Sequence, residues 1–219
     1  MVENLDKYDF TEFQSYLVSG DYEKCSEFVK TILNEGVDIK QLYDLILKKS
    51  LYNIGELWEN GKITVATEHL ASAIVETILS DIYFKIITQN KINKTAVLAC
   101  TENELHQIGI KMVNDIFEKN GWHVHFLGAN TTTEELISLI GTIHPDILAI
   151  SLSIPSNLPS LEKMLTKIRA QYPDLYIFVG GQAFLHGGFE ILKKFHNIIY
   201  KADLNELDEF LKMEMKDKN

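Results

Sequence analysis

Residues 95–109 read TAVLACTENELHQIG, and this stretch decides the kind of fold that the chain adopts. Its first six residues are a short apolar run, which is typical of a strand buried on both faces. A polar loop follows, and an amphipathic segment begins near Gly109. A strand, a loop and a helix in this order predict one repeat of a parallel sheet covered by helices.

The same alternation continues to the end of the chain. Further strands are predicted at WHVHFLG, DILAISLS, LYIFVGG and NIIYKA, and helices near residues 107–119, 132–142, 158–171, 184–194 and 204–214. This pattern predicts an α/β domain with a five-stranded parallel sheet over residues 91–219. In a flavodoxin-like strand order, the first and third strands are neighbours, and ligands bind beyond their carboxyl ends where the order reverses.

The preceding part of the chain has helical signals only. Segments at residues 10–20, 21–36 and 38–61 each end in glycine, and a fourth begins near Thr64. Its apolar face is expected at Ala71, Ile74, Val75, Ile78 and Ile82. We therefore predict a four-helix bundle over residues 1–90, joined to the sheet domain through the polar stretch TQNKINK.

The composition excludes several classes of function. The 219 residues carry a formal net charge of −10, so direct nucleic-acid binding, which needs a basic surface, is not expected. Cys25 and Cys100 lack a CxxC spacing, so neither a disulfide framework nor a cysteine zinc site is expected. The amino terminus lacks a secretory signal, and no apolar run reaches the ~20 residues of a membrane span. A cytoplasmic location without membrane contact is therefore predicted.

His106 is the first candidate for chemistry, and three interpretations of it are open: a loop residue, a catalytic base or a metal ligand. A neutral imidazole ligates a metal through one nitrogen when a carboxylate holds the N–H of the other. Glu104 stands two residues earlier, where it can reach that N–H, and Gly109 leaves room for a bulky group at the start of the next helix.

Two further motifs end strands of the same sheet. Ser151 and Ser153 close the third strand, and strand alternation places both hydroxyls on one face. Gly180 and Gly181 follow the fourth strand and permit either a tight turn or close approach of a ligand to the backbone. Serines at such positions also satisfy backbone groups, so a structural interpretation stands beside the functional one.

In the helical half, Trp58 ends the third helix, and Val65, Glu68 and His69 begin the fourth. Residues three and four apart share a helix face, so Glu68 and His69 lie beside Val65. A core tryptophan next to a first-turn glutamate is the structural alternative.

Together these motifs resemble the cobalamin-binding modules of methionine synthase, corrinoid methyl-carrier proteins and B12-dependent photoreceptor regulators. The family's motif of Asp/Glu-x-His-x-x-Gly, then Ser-x-Leu or Ser-x-Thr/Ser, then Gly-Gly stands here as ELHQIG, SLS and VGGQAF, in that order. WENGKITVATEH fits the Trp-x9-Glu-His pattern of the light-sensing, adenosylcobalamin-binding members. The resemblance covers nearly the whole chain and implies a helical cap followed by a Rossmann-like corrinoid domain.

The resemblance also implies roles on the lower side of the cofactor. His106 would be the lower axial ligand of the cobalt, in place of the cofactor's own dimethylbenzimidazole (base-off, His-on), and Glu104 would orient it. Ser151 and Ser153 would lie beside the nucleotide tail, which Gly180 and Gly181 would admit. Ser153 stands where other members often have Leu or Thr.

On the upper side, the resemblance implies that Trp58 covers the axial group and that Val65, Glu68 and His69 lie near an adenosyl moiety. Some light-sensing members have a histidine directly after the tryptophan, where this chain has Glu59, so a photoproduct with two histidine ligands is not expected. The winged-helix DNA-binding segment of those regulators is not seen here either, so direct transcriptional repression is not expected.

The implied function is a stand-alone adenosylcobalamin-binding sensor of light or cofactor, which signals through a protein partner or through self-association. The alternative is a corrinoid methyl carrier that serves a cobalamin-dependent methyltransferase system, with methylcobalamin as the cofactor. In both functions the protein would bind a cofactor as a sensor or carrier, and it is not expected to be an enzyme itself. The motif around His106 does not separate them, whereas the residues of the helical half do.

Overall fold

The computed structural model of the protein describes residues 8–216 and the side chains of residues 8–213. The chain divides into two compact units, Met1–Ile86 and Ile87–Asn219, here named the helical unit and the sheet unit. The boundary expected from the sequence lies between residues 90 and 91, a few residues after this division. Residues 1–7, on which the expected absence of a secretory signal depends, lie outside the described residues. Within the described part, no helix combines the length and apolar character that crossing a bilayer requires.

The described part of the helical unit contains four helical segments, as predicted. The first two are α1 (Phe10–Ser19) and α2 (Tyr22–Asn34), and the last is α5 (Val65–Ile86). The third is made of α3 (Ile39–Gln41), a π-helical segment (Leu42–Leu47) and α4 (Lys48–Glu59), which follow one another directly. The sequence pattern predicted this third segment as a helix but not its π-helical middle.

Aspartate caps begin the first three segments. The side chains of Asp9, Asp21 and Asp38 each accept a hydrogen bond from a backbone N–H in the first helical turn, where no helical carbonyl is available. In this unit α1 packs against α2, α4 and α5. The buried face of α5 contains the predicted residues Ala71, Ile74, Val75, Ile78 and Ile82, together with Leu79.

The described part of the sheet unit contains five parallel strands. They are β1 (Thr95–Cys100), β2 (His123–Gly128), β3 (Ile147–Ser151), β4 (Tyr176–Gly180) and β5 (Ile198–Tyr200). Their order is β2-β1-β3-β4-β5, which confirms both the parallel sheet and the flavodoxin-like arrangement. β1 and β3 are interior strands with almost wholly buried residues, whereas β2 lies at the edge with His123 and His125 exposed.

Within residues 87–216, five α-helices connect or follow these strands. They are α6 (Ile108–Lys119), α7 (Thr133–Ile143), α8 (Leu158–Gln171), α9 (Phe189–Leu192) and α10 (Leu204–Lys216). The helix predicted over residues 184–194 is wrong in its extent, because a 3-10 turn (Gln182–His186) precedes the short α9. Between them Gly187 and Gly188 have φ values of 121° and 88°, which a right-handed helix does not accommodate.

Trp122, directly before β2, is fully buried in the sheet unit. Its ring packs edge-on against Phe117 of α6, with the ring centroids 5.3 Å apart. The Lys94 ammonium lies 5.7 Å from the centre of the indole ring. These contacts hold α6 against the amino-terminal side of the edge strand.

The two glycines after β4 have different structural requirements. Gly181 has a φ of 114°, and a Cβ at this position would lie 2.2 Å from the carbonyl oxygen of Leu152. The backbone therefore approaches so closely that only glycine fits. At Gly180 the nearest atom to a Cβ would be the carbonyl oxygen of Lys201 at 3.7 Å, an ordinary contact.

We expect Gly181→Ala to lower the free energy of unfolding by about 3 kcal/mol, because the clash with Leu152 and the left-handed φ both oppose a Cβ. The matched variant Gly180→Ala should change it by less than about 1 kcal/mol. Urea denaturation followed by far-UV circular dichroism measures both. Equal losses in the two variants would contradict this division of roles.

Candidate functional site

The three motifs of the sheet unit end neighbouring strands at the same level. Cys100 is the Cα partner of Ser151, and Ser151 is the partner of Gly180, across β1, β3 and β4. The loops that follow these residues therefore leave the same edge of the sheet side by side. This is the carboxyl edge beside the reversal of strand order, where α/β proteins bind ligands.

His106 and Glu104 form a direct pair in the loop between β1 and α6. The Nδ1 atom of His106 lies 2.5 Å from Oε1 of Glu104, and the backbone N–H of His106 donates to the same oxygen at 3.0 Å. The His106 side chain is 59% exposed, whereas that of Glu104 is fully buried. A buried carboxylate thus holds one edge of an accessible imidazole.

The second oxygen of Glu104 binds the loop after β3. Its Oε2 accepts hydrogen bonds from the backbone N–H groups of Ser153 and Ile154, both at 2.9 Å. β3 ends at Ser151, so Ser153 lies in the loop that follows, and the placement of both hydroxyls on one face stays a prediction. Ser151 is buried, and Ser153 is half-buried and contributes its backbone to Glu104.

The electrostatics of the pair determine which imidazole nitrogen carries the proton. Burial by itself raises the pKa of Glu104, but hydrogen bonds from His106, Ile154 and Ser153 outweigh burial and lower the pKa from 4.5 to about 2. The ionised carboxylate only accepts hydrogen bonds, so Nδ1 of His106 is the donor. In a neutral imidazole of this tautomer the lone pair is on Nε2, which is the atom suited to ligate a metal.

The protein offers one histidine nitrogen, which fits a metal that is already bound within a cofactor ring. Among the described residues, no three His, Cys, Asp or Glu side chains converge into a metal-binding group. Zinc sites built by protein alone use three or four such ligands. A corrin ring supplies four nitrogen ligands itself, so a single imidazole such as His106, held by Glu104, would fit such a metal.

Gly109 lies in the first turn of α6, close to Ser151. A Cβ at Gly109 would lie 3.9 Å from the Ser151 hydroxyl, so the fold itself does not exclude a side chain there. The absence of a side chain at Gly109 and Gly180 is therefore not required by packing in this unit, in contrast to Gly181.

The candidates of the helical unit lie on its surface. Trp58, at the end of α4, is 45% exposed, so the alternative of a core tryptophan is wrong. Val65 is also exposed. In the first turn of α5, Nε2 of His69 lies 3.6 Å from Oε2 of Glu68, whose Oε1 accepts a hydrogen bond from Ser72 at 2.9 Å. The unit therefore presents an aromatic ring and a carboxylate close to an imidazole.

Sequence reasoning missed the residues that hold the His106 loop from the β2 side. Asn130 accepts a hydrogen bond from the backbone N–H of Asn103, and Gln107 accepts one from the backbone N–H of Ala129. Asn103 and Asn130 have positive φ values. The signal was present, since each asparagine stands shortly after a strand and asparagine is the non-glycine residue most suited to the left-handed region.

Family models of known proteins match both units. A model described as a B12 binding domain matches residues 94–200, which contain all five strands. A second model with the same description matches residues 10–82. The chain belongs to the B12-binding domain family. This confirms the resemblance seen in the sequence, and the B12-binding chain is therefore a cobalamin-binding protein with a helical cap and a Rossmann-like domain.

Curated relatives of this B12-binding chain include two regulators. It is 30% identical to the HTH-type transcriptional repressor CarH of Myxococcus xanthus over 142 residues. This aligned length covers 64% of this chain and 47% of that protein. It is 28% identical over 123 residues to the repressor CarA of the same organism, 55% of this chain and 41% of that protein. The chain thus spans less than half of the length of these relatives.

Other similarities lead to corrinoid proteins. A corrinoid protein of Desulfitobacterium hafniense is 19% identical over 176 residues, 78% of this chain and 82% of that protein. Among solved structures, the monomethylamine corrinoid protein of Methanosarcina barkeri has a TM-score of 0.80 at 14% identity, over 92% of this chain and 96% of that chain. The methanol:cobalamin methyltransferase complex of the same organism has a TM-score of 0.50 at 16% identity. The match covers 98% of this chain and 80% of that chain. At these identities the structural likeness concerns the fold alone.

We expect Glu104→Gln to lower the free energy of unfolding by about 3 kcal/mol at pH 7, because a pKa held near 2 makes the ionised form stabilising. The wild-type contribution is complete above pH 4.5 and is lost as the pH falls towards 2. The variant should therefore have a flatter stability profile between these pH values. Denaturant unfolding of the cobalamin-free protein measures it.

Glu102→Gln is the matched control in the same loop, because Glu102 is partly exposed. It should keep the wild-type profile. An acid dependence that persists undiminished in Glu104→Gln would contradict the importance assigned to this carboxylate.

Proposed function

We propose that this protein is an adenosylcobalamin-binding sensor of light or cofactor, which passes its signal to a protein partner or to its own oligomeric state. The proposal depends mainly on one observation, the exposed Trp58 together with the Glu68–His69 pair in the helical unit. An adenosyl group offers an aromatic base and ribose hydroxyls to such residues. A methyl group has neither a stacking face nor hydrogen-bonding atoms.

In this proposal the sheet unit binds the lower part of the cofactor. His106 would ligate cobalt in the base-off, His-on state, and Glu104 keeps the proton on Nδ1 and fixes the direction of the ring. Ser151, Ser153, Gly109 and Gly180 accept the nucleotide tail at the carboxyl edge of the sheet. Gly181 serves mainly the close packing of the backbone against Leu152.

The helical unit contributes the residues that respond to the upper ligand. Trp58 and Val65 offer exposed apolar surface, and Glu68 and His69 offer hydrogen-bonding groups. Bound adenosylcobalamin supplies a cobalt–carbon bond that light can break. Loss of the upper ligand would remove the partner of these side chains, and a ligand with different affinity for two arrangements shifts the population between them. Regulation of transcription is proposed only by analogy with the CarH and CarA relatives.

A corrinoid methyl carrier is the second candidate. The match to the corrinoid protein of Desulfitobacterium hafniense favours it, because that match spans most of both chains. The His106–Glu104 pair serves a carrier equally well, since cobalt needs the same lower ligand in both roles. Preferential binding of methylcobalamin and methyl transfer with a partner enzyme would support this candidate over the sensor.

We expect illumination of the adenosylcobalamin-loaded protein to change both its absorption spectrum and its elution volume in size-exclusion chromatography. Hydroxocobalamin, which has no cobalt–carbon bond, is the control and should give no light-dependent elution. His106→Ala should lose the axial-histidine spectrum already in the dark. If neither spectrum nor elution volume responds to light in the wild type, the light-sensing function is wrong.

Trp58→Ala should reduce the preference for adenosylcobalamin over methylcobalamin by about tenfold, the equivalent of one lost aromatic contact. The free energy of unfolding should change by less than about 1 kcal/mol, because the side chain is already half exposed. Isothermal titration calorimetry with both cobalamins measures the ratio. Phe84→Ala, at a position that is 81% exposed in the last turn of α5, should leave the preference unchanged. A Trp58→Ala preference equal to that of the wild type would exclude a role in selecting the upper ligand.

A further inference from the structure

Asn130, in the loop between β2 and α7, makes two hydrogen bonds to the loop that carries His106. Its Oδ1 accepts the backbone N–H of Asn103 at 3.0 Å, and its own backbone N–H donates to the carbonyl oxygen of Glu104 at 2.8 Å. Asn130 therefore holds both ends of the two-residue segment from Asn103 to Glu104.

Both asparagines adopt left-handed backbone conformations, with φ values of 68° at Asn103 and 50° at Asn130. Such conformations cost free energy for most residues and persist where surrounding contacts require them. The side chain of one asparagine and the backbone of the other supply such contacts here. The two turns are therefore coupled, because each asparagine takes part in a hydrogen bond to the other.

Neighbouring contacts join the same two loops. Gln107, directly after His106, accepts the backbone N–H of Ala129 at 3.2 Å. A Cβ at Gly128 would lie 2.6 Å from the same Gln107 oxygen, so only glycine permits this approach. The loop after β3 adds the side-chain amide of Asn157, which donates to the carbonyl oxygen of Asn103 at 3.3 Å.

From this geometry we infer that Asn130 is a positioning residue for the His106–Glu104 pair. It fixes the backbone of Glu104 on the β2 side, while Ser153 and Ile154 fix its carboxylate on the β3 side. The inference rests on the proposed role of His106 as a cobalt ligand. Its consequence is that an exposed residue, which need not touch the cofactor, sets how strongly the imidazole ligates cobalt.

Three variants separate the hydrogen bond from the backbone conformation. Asn130→Gly keeps the left-handed conformation and removes the Oδ1 acceptor. Asn130→Asp keeps both an acceptor and the tolerance for positive φ. Asn197→Gly is the matched control, because Asn197 also has a left-handed φ of 53° and lies in the same unit, directly before β5.

The first measurement uses the cobalamin-free protein. In Asn130→Gly, hydrogen exchange of the amides of residues 103–106 should accelerate about three- to tenfold, which corresponds to the loss of one neutral hydrogen bond. Asn130→Asp and Asn197→Gly should keep the wild-type exchange in this segment. Wild-type exchange in Asn130→Gly, or equal acceleration in Asn130→Asp, would overturn the inference.

The second measurement uses protein labelled with ¹⁵N-histidine and loaded with cob(II)alamin. The axial ¹⁵N splitting in the electron paramagnetic resonance spectrum reports histidine bound to cobalt. Added ¹⁴N-imidazole competes with this histidine and replaces it on the cobalt. The imidazole concentration at half displacement should fall about three- to tenfold in Asn130→Gly and stay unchanged in the other two variants. An unchanged midpoint in Asn130→Gly would overturn the inference. If the wild type has no ¹⁵N splitting, the proposed role of His106 fails, and the inference fails with it, whatever the exchange rates are.

Discussion

The buried carboxylate of Glu104 is the constraint on which the rest of the site depends. It accepts four hydrogen bonds, two from His106 and one each from Ser153 and Ile154, although no part of its side chain reaches solvent. A buried charge without these donors would be costly, so the loops that supply them and the ionised state require one another. A single carboxylate thereby joins the ends of β1 and β3 and determines the tautomer of the imidazole.

Much of the fold could be predicted from the sequence because its signals are local. The run TAVLAC coincides with β1, and the parallel sheet follows from alternating strands and helices. The helix predicted over residues 184–194 failed because two successive left-handed glycines interrupt it. The π-helical segment was missed for a different reason, since an extra residue in a helical turn hardly alters an apolar period.

The candidate site was predictable in part. Glu104 and His106 are two residues apart, so their pairing could be predicted from the sequence. The contacts of Glu104 with Ser153 and of Asn103 with Asn130 join segments far apart in the chain, and no periodicity records them. Gly181 looked like a ligand-binding glycine, yet its closest neighbour is the backbone of Leu152. The pairing of His106 with Glu104 is thus specified by short-range sequence, and the position of the pair by long-range contacts.

The chain has two tryptophans, and they lie in different units and in opposite environments. Trp122 is fully buried against Phe117 in the sheet unit, whereas Trp58 is half exposed at the end of α4 in the helical unit. We therefore expect the tryptophan fluorescence to combine one blue-shifted and one red-shifted emitter, each belonging to a single unit. Replacing either indole by phenylalanine leaves a spectroscopic reporter for the other unit alone, without an added label.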